Sequence, residues 1–208
     1  MNVLPTSPLP VTEQAVSGEA IASEEAPADW GALSALPGNP MMWVLILSEL
    51  VVFGAFFASF AFARALHPAA FNASQAHLDR LLGGVNTMVL LTSGLAAALA
   101  VRARADGKIR SCRLWLGGAA LGGFAFMAVK LVEYADKASQ GIGIETDTFF
   151  TLFYLMTGFH FLHVALGIVF LGVVAWRCSL ENVETGTAFW HMVDLIWVLL
   201  YPLVYLIR

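Results

Sequence analysis

Five long apolar runs, separated by short connections that hold most of the charge, leave this chain few folds to adopt. The runs lie at about 41–64, 81–101, 114–135, 149–176 and 189–207. Each reaches the roughly 20 residues that a helix needs to cross a bilayer. In hydrocarbon every backbone N–H and C=O has to find its partner within the segment, so the runs are expected to be helices. The expected fold class is all-α: an integral membrane bundle of five transmembrane helices. Composition agrees, with 59% hydrophobic and only 12% charged residues, where a soluble domain carries about 25% charged. So much apolar surface calls for lipid as solvent.

Residues 1–40 read differently. They are rich in Pro, Ala, Ser and Glu and hold Glu13, Glu19, Glu24, Glu25 and Asp29 with no Lys or Arg. This composition predicts a disordered acidic tail. It lacks the basic start and apolar segment of a signal peptide. The formal net charge of -4 comes from this tail. Residues 41–208, the predicted membrane domain, are close to neutral and carry no basic stripe for nucleic acid.

The loops suggest an orientation. Segments 102–113 and 177–188 carry Arg102, Arg104, Lys108, Arg110, Arg113 and Arg177. The opposite side has Arg64, Arg80, Lys137 and Arg208. The positive-inside rule then places the N-terminus inside and the C-terminus outside, in a multi-pass protein of an inner (plasma) membrane. Trp43, Trp115, Trp176 and Trp190 fall at span ends on the inner side, with Tyr134 and Tyr205 at the outer ends, as interfacial anchors do. Cys112 and Cys178 are too few for a disulfide framework. Both are expected near the cytoplasmic face, where thiols stay reduced.

Ionisable residues inside spans are costly and so are functional candidates. Glu49 lies about two turns into the first span, roughly 10–12 Å below the boundary. It reads as a proton-exchanging or lipid-contacting carboxylate, or else as a protonated acid bonded to a neighbouring helix. His160 and His163 share a helix face. Hydrogen bonding between helices is the expectation for both, because two ligands are too few for a closed zinc site. His191 and Asp194 form another i, i+3 pair, placed near the inner end of the fifth span. That pair is expected to anchor the helix end, with a proton pathway as the competing role. Lys130 and Glu133 predict an internal ion pair, which Asn86 and Thr87 could join. Gly118 and Gly122 form a small-xxx-small spacing suited to close helix packing. The chain has no P-loop, CxxC, HExxH or CxxCH sequence. The residues therefore point to no catalytic centre and no metal site.

Several segments resemble a known family. Leu47-Ser48-Glu49 followed by Phe53-Gly54-Ala55-Phe56-Phe57 is similar to a helix of heme-copper oxidase subunit III. So are Asn86-Thr87 with Leu90-Leu91-Thr92-Ser93-Gly94, and Glu133-Tyr134. Thr157-Gly158-Phe159-His160 with His163-Val164, and Trp190-His191-Met192-Val193-Asp194 with Trp197, complete the set in family order. The long form of the family has seven helices, and this chain resembles the short five-helix branch. Gly141–Phe150 and Glu181–Gly186 look most like the accessory proteins of nitric oxide reductase.

The resemblance implies a non-catalytic accessory subunit of a respiratory complex. Such a subunit packs on the heme-copper catalytic subunit I and associated subunits, holds structural phospholipid, binds no cofactor directly and supports proton uptake. It puts the family's carbodiimide-reactive carboxylate on Glu49 and makes His160 and His163 structural. Competing readings are a self-standing membrane cytochrome or metal protein using His160, His163 and His191, and a small proton-conducting transporter built around Glu49.

Overall fold

The computed structural model describes residues 40–207. The predicted acidic tail lies outside the described residues, except Pro40, which opens the first helix. Six helices follow in order: α1 Pro40–Leu66, α2 Pro68–Gln75, α3 Arg80–Ala105, α4 Ile109–Ser139, α5 Thr148–Arg177 and α6 Leu180–Tyr201. A π-helical turn, Pro202–Leu206, extends α6. No strand occurs among the described residues. All but α2 are long and apolar enough to cross a membrane.

The helix ends follow from local chemistry. Asp79 caps α3 by accepting from the Leu82 amide at 2.9 Å, and Asp147 caps α5 by accepting from Phe150 at 2.8 Å. Each satisfies a donor that the first turn would leave orphaned. Ser179 does the same for α6 through the Asn182 amide at 3.2 Å. The fifth apolar run was expected from 189, yet α6 begins at Leu180. The capped and partly polar first turns of α6, with Glu181, Asn182 and Glu184, carry the helix beyond its apolar stretch. Beyond Tyr201, Pro202 supplies a carbonyl to the Ile207 amide at 2.9 Å, an i to i+5 spacing that makes the last turn a π-turn.

Helices α3, α4, α5 and α6 form a four-membered ring, α3 beside α4 and α6, and α5 beside α4 and α6. Helix α1 leans on α5 and α6 from outside. It is the least buried of the five spans and α6 is the most buried. At one end of the bundle, α2 sits with the 140–147 loop and the end of the chain. Ser74 donates to Asp147, Gln75 donates to the Val204 and Ile207 carbonyls at 2.8 and 3.0 Å, and Arg64 donates to the Ile207 carbonyl. The other end carries Arg102, Arg104, Arg110, Arg113 and Arg177.

Large residues of α6 fit against small residues of its neighbours. A Cβ added at Gly123 of α4 or Gly167 of α5 would meet the Trp190 ring at 2.6 and 2.7 Å. One added at Gly83 of α3 would meet Tyr201 at 2.9 Å. Lipid is as apolar as a side chain, so close backbone approach of this kind is what holds membrane helices together. A Cβ added at Gly122 would follow the rule, 2.6 Å from the Ser93 Cβ, but one at Gly118 would reach only ordinary contact with Ala96 at 3.9 Å. Of the two glycines, Gly122, one turn beyond Gly118, is the one packed tightly on α3.

Two aromatic placements correct the sequence reading. Trp190 is fully buried in the bundle, because α6 starts ten residues earlier and carries this ring inward to the Gly123 and Gly167 notches. Tyr205 is also fully buried. Neither is an interfacial anchor, whereas Trp115 and Trp176 remain exposed. Tyr134 is half-buried and donates to Thr157 at 2.8 Å.

Candidate functional site

Glu49 projects from α1 toward α5, where its Oε2 lies 3.1 Å from Nε2 of His163. The other ring nitrogen, Nδ1, is 2.9 Å from the Phe159 carbonyl oxygen one turn back on α5. A nitrogen facing a carbonyl has to carry hydrogen, so Nδ1–H donates there. Nε2 therefore meets Glu49 in one of two ways: as a lone pair accepting from a carboxylic acid, or as an N–H donating to a carboxylate. Both forms are neutral overall and differ by the position of one proton. The pair lies inside an apolar region. Phe53 and Phe159 wall it, with ring centroids 5.5 and 4.7 Å from that of His163. Both His163 nitrogens are engaged. Glu49 keeps a fifth of its side-chain surface open.

His160, one turn away on the same helix, behaves differently. It is fully buried and stacks on Trp197 of α6 at 5.1 Å and 29°. Its ring also meets Phe126 of α4 edge-on at 5.5 Å. Neither ring nitrogen has a hydrogen-bond partner among the described residues. The interhelical hydrogen bond expected of His160 is absent there, since the ring is buried against aromatic faces and edges and the one donor among them, the Trp197 indole N–H, is taken by Thr87. His163 makes the interhelical contact instead, at ion-pair distance from Glu49 of α1.

Asp194 and His191 lie deeper than the sequence suggested. Asp194 is 14 residues past Leu180, roughly 21 Å along α6, and not one turn from its start. Its carboxylate presses against Gly94 of α3, where no side chain would fit. The His191 Nδ1 is 3.8 Å from Asp194 Oδ2, too long for a hydrogen bond. Asp194 Oδ1 is buried with no hydrogen-bond partner among the described residues.

A second polar group closes toward the α2 end. Lys130 donates to Glu133 Oε2 at 2.7 Å and to the Tyr205 hydroxyl at 3.0 Å. Tyr205 in turn donates to Glu133 Oε1 at 2.7 Å. This triad is buried and ringed by Tyr134, Phe153, Trp197 and Tyr205, whose centroids lie 4.9–5.7 Å from the ammonium. Asn86 and Thr87, expected to join it, bond elsewhere. Asn86 donates to the Phe126 carbonyl at 3.3 Å, and Thr87 accepts from the Trp197 indole at 3.0 Å. The sequence reading missed Tyr205 because it stands 72 residues from Glu133. Among the described residues no three His, Cys, Asp or Glu side chains converge.

Beside Glu49, helices α1, α3 and α6 leave an apolar groove of about 630 Å³. Trp43, Ile46 and Leu50 form its α1 wall and Ala98 and Val101 its α3 wall, with His191 on the α6 side. Arg102 and Glu184 also line it, at the arginine-rich end.

Comparison with known proteins gives these features a family. The chain matches the family model described as "Cytochrome c oxidase subunit III" over residues 38–207. It is 31% identical to cytochrome c oxidase subunit 3 of Thermostichus vulcanus, covering 79% of this chain and 84% of that protein. It is 27% identical to the cytochrome bo(3) ubiquinol oxidase subunit 3 of Pseudomonas putida, covering 79% and 83%. A protein of Aeropyrum pernix named heme-copper oxidase subunit I+III is 29% identical, covering 80% of this chain and 22% of that one. Five helices long and apolar enough to span a membrane, and a family match that takes in all of them, lead to one conclusion: this multi-pass membrane protein belongs to the cytochrome c oxidase subunit III family.

Proposed function

We propose that this protein is a non-catalytic accessory subunit of a heme-copper respiratory complex in a bacterial inner membrane. It packs on catalytic subunit I, stabilises it and supports its proton uptake. The observation that carries this reading is the match over residues 38–207, which takes in every span. The name of the Aeropyrum pernix relative, subunit I+III, supports the choice of partner. On this reading Glu49 and His163 are the proton-associated pair. Their shared proton can shift between carboxylate and imidazole with no change of net charge, which limits the cost of moving it in a low-dielectric region. The groove between α1, α3 and α6 takes the acyl chain of a phospholipid, with Arg102 placed for its phosphate.

A finer reading names nitric oxide reductase as the partner complex. It rests on the Gly141–Phe150 and Glu181–Gly186 segments, whereas the relatives above carry oxidase names. One experiment tests both levels. The tagged chain is extracted from its native membrane in mild detergent, with and without prior crosslinking, and co-purifying proteins are identified. Recovery of a heme-bearing catalytic subunit supports the accessory role, and the type of that subunit decides between oxygen and nitric oxide. A crosslinked chain that recovers no such subunit overturns the proposal.

A further inference from the structure

Cys112 lies in the first turns of α4 and Cys178 just past the end of α5, yet their sulfur atoms are 3.6 Å apart. Both are free and buried. At that separation the two sulfurs touch, with the Cys178 thiol donating to the Cys112 sulfur, and a disulfide at about 2.05 Å needs them to close further. The surroundings hold the pair in register. Arg104 of α3 donates to the Cys178 carbonyl at 2.6 Å, and Arg113 of α4 donates to the Ala175 and Trp176 carbonyls at 3.0 and 3.2 Å. Two helices, α3 and α4, therefore converge on the end of α5.

Cys178 also has a backbone that cysteine rarely adopts. It ends α5 at φ 47° and ψ 38°, the left-handed conformation that glycine or asparagine usually supplies. A β-carbon is unfavourable here, so Cys178 sits at this position at a local steric cost. No third His, Cys, Asp or Glu joins the pair among the described residues. Two thiols alone do not make a tetrahedral zinc site.

We infer that Cys112 and Cys178 are a redox modification site, a dithiol that closes to an intrachain disulfide when it meets a peroxide-class oxidant. Cys178 is the less enclosed of the two and reacts first. Its thiolate attacks one peroxide oxygen, the O–O bond breaks, and the other oxygen leaves and is protonated to water, giving a sulfenic acid. The Cys112 sulfur then attacks the Cys178 sulfur. The S–O bond breaks, the S–S bond forms, and the departing hydroxide takes the Cys112 proton as a second water. Two thiols lose two electrons and two protons, and one peroxide becomes two waters. The bridge staples the start of α4 to the end of α5 at the arginine-rich end of the bundle.

The full-length chain, purified in mild detergent, is exposed to hydrogen peroxide, quenched, denatured and treated with a maleimide before intact-mass measurement. The expected product is a monomer about 2 Da lighter that takes up no maleimide until it is reduced. Cys112→Ser is expected to leave Cys178 as a sulfenic or sulfinic acid with no bridge. Cys178→Ser is expected to leave Cys112 free, and Cys178→Gly serves the same purpose with a better fit to the left-handed backbone. Two maleimides on the oxidised wild-type chain, a disulfide-linked dimer, or over-oxidation of Cys178 with Cys112 still free would each overturn the inference.

Discussion

Glu49 Oε2 and His163 Nε2 lie 3.1 Å apart, and this contact is a polar tie between the outermost helix and α5 of the bundle. Helix α1 also rests on α5 through aromatic contacts such as Phe53 with Phe159 at 5.3 Å, and Arg64 in its last turn donates to the Ile207 carbonyl. The placement links two properties that could have been independent. The same carboxyl that can hold a proton also fixes the position of α1, and α1 is one wall of the groove.

Substitution separates those properties. In Glu49→Gln the amide nitrogen can still donate to Nε2, so stability should change by less than about 1 kcal/mol. Carbodiimide labelling, which needs a carboxyl group, should disappear. His163→Leu leaves the carboxyl without its partner and should cost about 1–3 kcal/mol. Thermal unfolding in detergent and mass-mapped labelling read both effects. Labelling of Glu49→Gln at wild-type level would remove Glu49 from its assigned role.

The Lys130–Glu133–Tyr205 triad makes a different prediction. Lys130→Met strands Glu133 in a buried aromatic setting and should cost about 3–5 kcal/mol. Lys130→Met with Glu133→Leu removes both charges and should recover most of that loss. A double-mutant cycle by denaturant in mixed micelles measures the coupling, and a double variant as unstable as the single one would refute it.

Glycine substitutions should sort by contact and not by spacing. Gly167→Ala forces a Cβ to within 2.7 Å of Trp190 and should destabilise by about 1–3 kcal/mol. Gly54→Ala meets nothing within 4 Å and should be neutral or stabilising by up to about 1 kcal/mol through helix propensity. The two variants compared by thermal unfolding test this, and equal effects would be the wrong result.

The groove gives a lipid prediction. Ala98→Trp fills the space between α1, α3 and α6 without touching the Glu49–His163 pair. Native mass spectrometry of the purified chain should show a bound phospholipid in the wild type and its loss in the variant. Equal retention in both would place the lipid elsewhere.

Much of this architecture can be read from residues in order. Five spans follow from run length, because hydrocarbon admits only helices with every backbone group paired. The i, i+3 pairs Lys130–Glu133 and His160–His163 follow from helix geometry. The early start of α6 was also legible in principle, through Ser179 as an N-cap with Glu181 in the first turn, but hydropathy alone passes over a polar helix start. What residue order could not supply was which face of each span turns inward. In water an apolar stripe marks the buried side. In lipid the outside of a helix is as apolar as the core, so that signal fades. Only tertiary packing decided that His163 meets Glu49, that Tyr205 closes on Lys130 and Glu133, that Trp190 is core, and that Cys112 touches Cys178. Each of these partners lies more than 20 residues from the groups it meets, outside the helix that carries them, and side-chain fit between helices chose it where hydrophobic period could not.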